Sequence, residues 1–167
     1  LSTRARDIPE RHRSIRAVFD HSWNLLSADE QTVFPRLSVF RGGFTLDAAE
    51  KVADANLMTL SGLVEKSMVW RDTSGRYAIH ELLRQYGAEI LDQLDGFDEI
   101  SSRQLSYYST MLEHLNEDMK GRRQADGLVD LDVERDNIRQ AWRYGVENAD
   151  LETLDKMLLS LTTFQEL

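Results

Sequence analysis

One short stretch of this chain departs from helical periodicity, and it restricts the fold more than any other feature. Residues 67–71 and 76–79 are strand-like runs, and the four residues between them are polar and end in Gly75. Glycine takes positive φ angles without steric cost, so this turn suits a β-hairpin. Nearly everything else in the chain shows helical spacing. A single hairpin among helices predicts a mainly α fold with a winged-helix-like domain.

Five helices surround the predicted hairpin. Ser27 and Glu30 have the spacing of a capping box that begins the second helix, and Pro35 predicts an irregularity near the end of that helix. Thr45 can cap the third helix. Apolar residues recurring every three or four positions place the first, fourth and fifth helices at residues 13–26, 57–66 and 80–93.

The chain beyond residue 96 is helical in its spacing. A long amphipathic helix is followed by a polar break at residues 120–126, then by a helix around Ile138 and another that begins at Leu151. Successive amphipathic helices joined by short loops predict an antiparallel, tetratricopeptide-like segment. No clean self-similarity of about 34 residues is present, so periodicity alone does not identify a repeat array.

The whole chain has a net charge of −9, and its acidic residues are concentrated in the second half. Residues 1–96 carry 12 basic and 14 acidic side chains, whereas residues 97–167 carry 8 and 15. This change coincides with the turn at residues 95–96, which predicts a boundary between a winged-helix domain at 13–96 and a helical segment at 97–167. Residues 1–12 are rich in arginine, and because the chain starts without a methionine we expect them to be a basic linker from an upstream domain.

Several kinds of chemistry find no support in this sequence. Cysteine is absent, the four histidines lack metal-ligand spacing, and there is neither a phosphate loop nor a nucleophile elbow, so we expect no enzyme activity. Residues 130–136 resemble a calcium loop, but Arg135 stands where that loop needs glycine, and a solvated helix start is the better interpretation. No apolar run reaches the ~20 residues of a transmembrane helix and no signal peptide opens the chain, so we expect a cytoplasmic location and no membrane partner.

A winged helix commonly reads DNA through the helix that precedes its hairpin, which here is residues 57–66. Base readout needs Arg, Lys, Asn or Gln on the outer face of that helix. The polar side chains of this helix are Thr59, Ser61, Glu65 and Lys66. The hairpin offers Arg71 and Arg76, opposed by Asp72. Such a surface would release few counterions, so the sequence predicts against direct DNA contact.

His80 stands where the second strand meets the following helix. Both elements hold a side chain rigidly at such a junction. An imidazole there can cap the helix or donate a hydrogen bond to an anionic oxygen. Without further context, capping or packing is the favoured interpretation.

Several stretches in consistent order resemble one family along nearly the whole chain. They are residues 9–16, 19–23, 25–27, 30–31, 37–45, 48–50, 63–67, 76–86, 107–108, 134–139 and 141–142. Together they resemble the region after the nucleotide-binding domain in bacterial STAND (NB-ARC-like) signal-transduction ATPases. The most similar members are transcriptional regulators of the LuxR/MalT-like and AfsR-like kinds.

The resemblance implies a winged-helix domain that packs against an upstream nucleotide-binding domain of the same chain, followed by the first helices of a tetratricopeptide-like sensor. In that family a Met-His-Asp-type triplet presents a histidine to the ADP phosphate in the closed resting state. Ile79-His80-Glu81 stands at the corresponding place, with the histidine retained and its two neighbours changed. The resemblance therefore implies that His80 contacts ADP in the full-length protein. The ADP or ATP and its Mg would be held upstream, and no cofactor is expected on this part alone.

Three functions are left open by the sequence. The first is a non-catalytic regulatory module that transmits nucleotide and inducer state within a STAND ATPase, with the downstream helical sensor repeats as its other partner. The second is a winged helix that binds DNA directly. The third is a helical scaffold for another protein.

Overall fold

The computed structural model is mainly helical and contains one small hairpin, as predicted. It describes the backbone of residues 7–119 and 124–165 and the side chains of residues 15–116 and 131–162. The elements in chain order are α1 (Asp7–Asn24), α2 (Ala28–Arg36), a 3₁₀ turn (Leu37–Val39), α3 (Leu46–Ala53), α4 (Leu57–Glu65), β1 (Trp70–Arg71), β2 (Tyr77–Ala78), α5 (Glu81–Gln93), α6 (Phe97–Met119), α7 (Gln124–Glu147) and α8 (Leu151–Gln165). No helix in the described ranges is long and apolar enough to span a membrane.

The hairpin is antiparallel, with Trp70 opposite Ala78 and Arg71 opposite Tyr77. Gly75 has φ +90°, which confirms the predicted turn. The strands are shorter than the predicted runs because residues 68–69 donate their backbone N–H groups to the carbonyl of Leu63 and close the end of α4. Tyr77 also exchanges both backbone hydrogen bonds with residue 44, at 2.8 Å each, so a third segment extends the hairpin.

The predicted start of α2 is confirmed. The Ser27 hydroxyl accepts from the backbone N–H of Glu30 at 3.3 Å, and the Glu30 carboxylate accepts from the backbone N–H of Ser27 at 2.6 Å. Thr45 likewise caps α3. Pro35 lies in the last turn of α2, and the chain tightens into the 3₁₀ turn directly afterwards, which is the expected irregularity.

The first helix was predicted at 13–26 but begins at Asp7 and ends at Asn24, so residues 7–12 of the predicted linker are helical. Residues 1–6 lie outside the described residues. Periodicity could not find the true start because an apolar face begins only at Ile15. Pro9 is compatible with this start, since the first turn of a helix leaves its N–H groups unpaired in any case.

The prediction that residues 130–136 form a solvated helix start is confirmed for the solvation, since Asp132, Arg135 and Asp136 are exposed, but is wrong for the start. The helix already begins at Gln124, inside the predicted polar break, so the acidic stretch lies in its interior. Residues 120–123 of that break lie outside the described residues. Glu134 is buried at 6 % exposure, because partners distant in the sequence surround it.

Helices α6, α7 and α8 pack against one another. Tyr144 near the end of α7 donates its hydroxyl to the carbonyl of Asp98 in the first turn of α6 at 3.0 Å, so these two helices are antiparallel. One cluster of buried side chains continues from Leu26 in the winged helix to Met157 in α8. The core is therefore continuous across residues 95–96, and the division into a domain and a segment there stays a prediction.

Candidate functional site

His80 is the N-cap residue of α5, as its position between strand and helix suggested. Its backbone is extended (φ −60°, ψ 137°), and its Nδ1 accepts a hydrogen bond from the backbone N–H of Leu82 at 3.3 Å. A neutral imidazole that accepts at Nδ1 carries its proton on Nε2. The side chain is exposed, so the second nitrogen is a donor that no described residue occupies. His80 thus caps α5 through one ring nitrogen, and its other ring nitrogen is a hydrogen-bond donor at the surface.

The side chains of the two neighbours of His80 make contacts within the protein. Ile79 packs against the core. Glu81 accepts from both sides of the Arg84 guanidinium, at 2.8 and 3.0 Å, and from the Gln85 amide at 2.9 Å. The hydrogen bonds from Arg84 lower the pKa of Glu81 to about 2. Arg84 is itself buried and donates to the carbonyl of Ser38 at 2.9 Å, so Arg84 holds α5 onto the 3₁₀ turn while Glu81 orients its guanidinium.

A double-glycine turn connects this region to α7. Gly42 and Gly43 have φ +73° and +92°, and a Cβ on Gly43 would lie 2.9 Å from the carbonyl oxygen of Tyr77. Asn137 holds the turn: its Oδ1 accepts from the backbone N–H of Arg41 at 2.6 Å, and its Nδ2 donates to the carbonyl of Gly43 at 2.8 Å. Asn137 has no exposed surface, so these bonds fix the turn against the helical segment.

Glu134, one helical turn before Asn137, joins the hairpin to the helical segment. Its carboxylate accepts from Arg76 at 2.5 Å, from the Tyr108 hydroxyl at 2.9 Å and from Asn137 at 2.8 Å. Burial and the adjacent carboxylate raise the pKa of Tyr108, so its hydroxyl stays a donor. Hairpin, turn, α6 and α7 thus meet in one polar network inside an apolar core.

The sequence pattern does not assign this network. Glu134 belongs to the acidic stretch 130–136 and, with Asn137, to the residues of the family resemblance, and neither pattern indicates a partner for them. Glu134 and Asn137 are three residues apart and so share a face of a helix, but their partners lie 58 and 96 residues away. A carboxylate and an amide among the apolar positions of a predicted helix was the one local signal available.

The outer face of α4 has few polar groups to offer a nucleic acid. The Thr59 hydroxyl donates to Asn56 within the same helix cap, and Lys66 forms an ion pair with Glu30 at 2.7 Å. Leu57 and Met58 are instead exposed, at 56 % and 85 %. Ser61 and Glu65 are the other exposed residues of this helix, so it presents apolar groups, one hydroxyl and one carboxylate but no basic side chain.

The hairpin arginines are engaged within the chain. Arg71 donates to the carbonyl of Gly75 at 3.1 Å and lies over the Tyr77 ring, and Arg76 is bound to Glu134. No cluster of three His, Asp or Glu side chains that could hold a metal ion occurs among the residues described.

Relatives of the chain occur in mycobacteria. Proteins of Mycobacterium bovis and of two Mycobacterium tuberculosis strains, described as predicted HTH-type transcriptional regulators, are 31 % identical to it over 171 aligned residues. The alignment covers 96 % of this chain and 19 % of each relative, so the chain spans about a fifth of their length. No protein-family model and no solved structure matches the chain. The chain is thus similar, over nearly all of its length, to one segment of much longer proteins described as transcription regulators.

Proposed function

We propose that this chain is a non-catalytic regulatory module of a STAND-type (NB-ARC-like) ATPase that controls transcription in the cytoplasm. Its winged helix would pack against an upstream nucleotide-binding domain, and its last helices would begin a tetratricopeptide-like sensor. The ordered family resemblance and the described role of the relatives support this assignment. The observation that carries it is the exposed His80 side chain, which caps a helix N-terminus through Nδ1 and has no partner among the described residues at its other ring nitrogen.

His80 has the geometry for reporting a bound phosphate. Nδ1 is occupied by the cap, which orients the ring and leaves Nε2 as the donor. A donor held in this way could bind an oxygen of ADP in the upstream domain. Only a closed arrangement would make that contact, so ADP would shift the population toward it, and exchange for ATP with Mg would release it.

The movement of His80 would be transmitted to the helical sensor through fixed contacts. Glu81 and Arg84 connect the start of α5 to the 3₁₀ turn, and Asn137 binds the neighbouring glycine turn to α7. A displacement at His80 therefore reaches α7 through buried polar contacts and without crossing a flexible linker.

Three variants of the full-length protein distinguish the capping role of His80 from its proposed contact with a phosphate. Ser is a good N-cap residue that has no N–H and is shorter than the imidazole, so His80→Ser keeps the cap, whereas His80→Ala removes both the cap and the N–H. We expect both variants to release ADP faster and to raise basal activity, while His21→Ala, an exposed histidine on α1, changes neither. Release of radiolabelled ADP measures the effect. Unchanged release from His80→Ser would leave His80 with the capping role alone and overturn the proposal.

The name of the relatives favours a second candidate, a winged helix that binds DNA directly. The engaged hairpin arginines and the apolar face of α4 oppose it. Fluorescence anisotropy with duplex DNA at low and high salt distinguishes the two candidates. Tight, salt-sensitive binding by this chain would establish the DNA-binding candidate, and we expect no such binding.

A further inference from the structure

A groove lies where the glycine turn of the winged helix meets α7. Its walls are Arg41 from the turn and Asp136, Arg139, Gln140 and Arg143 from the helix, and its volume is about 280 Å³. We propose that this groove binds the phosphate group of a small ligand. The site is distinct from His80 and is formed by residues from both halves of the chain.

The fold directs these side chains toward one another. Positions 136, 139, 140 and 143 are three or four residues apart and therefore share one face of α7. The backbone N–H of Arg41 is held by Asn137 at 2.6 Å, so the turn delivers the Arg41 side chain to that same face. The backbone of both walls of the groove is thereby held in place before any ligand arrives.

The guanidinium groups of the groove are only loosely compensated. Within the described residues, the shortest distance from each to a carboxylate is 3.6 Å for Arg41 (to Glu81), 3.6 Å for Arg139 (to Asp136) and 4.0 Å for Arg143 (to Glu147). These distances exceed those of a charge-assisted hydrogen bond, about 2.7–2.9 Å. Most of their N–H donors are thus available to a stronger acceptor.

Arg41 shows the same excess of positive charge. Burial, and after it the neighbouring Arg84 guanidinium, lower the pKa of Arg41; the Glu81 carboxylate opposes this shift and Arg143 adds to it. An anion in the groove would relieve this repulsion. Planar guanidinium groups match the oxygens of phosphate and can bind them in pairs.

Size and charge favour a small ligand over a nucleic acid. The groove volume, about 280 Å³, lies just below the range of ligand pockets, about 300–1,000 Å³. The surrounding chain has a net charge of −9, with 15 acidic and 8 basic side chains beyond residue 96. A long polyanion would be repelled by that surface, whereas a diphosphate-sized ligand fits inside the positive groove.

Calorimetric titration of the 167-residue chain with inorganic pyrophosphate tests the proposal. Arg139 and Arg143 have side chains that are 73 % and 64 % exposed, so Arg139→Gln and Arg143→Gln should fold normally, which circular dichroism would verify. Each should weaken pyrophosphate binding at least about ten-fold, as expected for loss of a charge-assisted contact. Arg135→Gln is the matched control, because it removes the same charge from the same helix. Among the described residues Arg135 pairs only with Asp132, and it does not line the groove. This variant should change the affinity less than about two-fold.

Three results would overturn the proposal. One is the absence of pyrophosphate binding at millimolar concentration. Another is equal weakening by all three variants, since general electrostatic attraction would then explain the binding. The third is tighter binding of a 20-base-pair duplex than of pyrophosphate in the same buffer, which would assign the arginines to a nucleic-acid surface.

Discussion

Replacement of Asn137 by alanine tests the buried network that joins the two halves. The side chain makes two hydrogen bonds to backbone groups of the glycine turn and one to the Glu134 carboxylate, and it has no exposed surface. Neutral hydrogen bonds contribute about 1 kcal/mol each and a charge-assisted one about 1.5–3 kcal/mol. Water can reach part of the half-buried turn, so we expect a loss of about 3 kcal/mol in the free energy of unfolding.

Urea denaturation followed by circular dichroism measures this loss directly. In thermal unfolding it corresponds to a decrease of roughly 6–12 °C for a chain of this size. Asn148→Ala is the matched control, because Asn148 is an exposed amide on the loop after α7 with one hydrogen bond, to the carbonyl of Tyr144 at 3.0 Å. Its loss should stay below about 1 kcal/mol. Equal losses in the two variants would refute the claim that Asn137 clamps the turn.

Three further predictions concern the turn, a tyrosine and a carboxylate. Gly43→Ala should lower the free energy of unfolding by about 1–3 kcal/mol, because φ is +92° and the new Cβ would meet the Tyr77 carbonyl. Burial raises the pKa of Tyr86 to about 12, so its contribution to stability is complete below pH 10 and is lost as the pH rises to 12. In Tyr86→Phe, the free energy of unfolding measured in urea should therefore change less over that pH interval. Hydrogen bonds from Arg84 lower the pKa of Glu81 to about 2, so the contribution of the Glu81 carboxylate to stability holds above pH 4.5 and disappears as the pH falls to 2. A side-chain carbon resonance of Glu81 that titrates near pH 4.5 in NMR would contradict this.

Local signals identified most of the elements because the responsible interactions lie within a few residues. The capping box at Ser27 and Glu30 is a contact between positions three apart, and Gly75 supplies a backbone angle needed by its own turn. Each can be recognised without knowing the rest of the fold. The tertiary role of Glu30 could not be recognised in this way, since its ion pair joins Lys66 at a separation of 36 residues.

The errors in the element bounds have the same origin. The first turns of α1 carry no apolar periodicity, so nothing local distinguishes them from a charged linker. Acidic residues favour a helix start, and that rule misplaced the start of α7, where Glu134 faces Arg76 and Tyr108 inside the protein. Whether a carboxylate is buried depends on partners that are distant in the sequence, and helical spacing does not identify those partners.

By itself the sequence determined a mainly helical chain with one hairpin, the capped starts of α2 and α3, and the position of His80 between strand and helix. These follow from the helical period, from capping and from glycine angles, all of which act over about four residues. Only the tertiary structure decided that Asn137 holds a turn 96 residues away, that Glu134 is buried against Arg76 and Tyr108, and that Arg41 lies beside Arg139 and Arg143. The physical reason is that a site assembled from distant segments depends on how the helices pack, and packing is a property of the whole core.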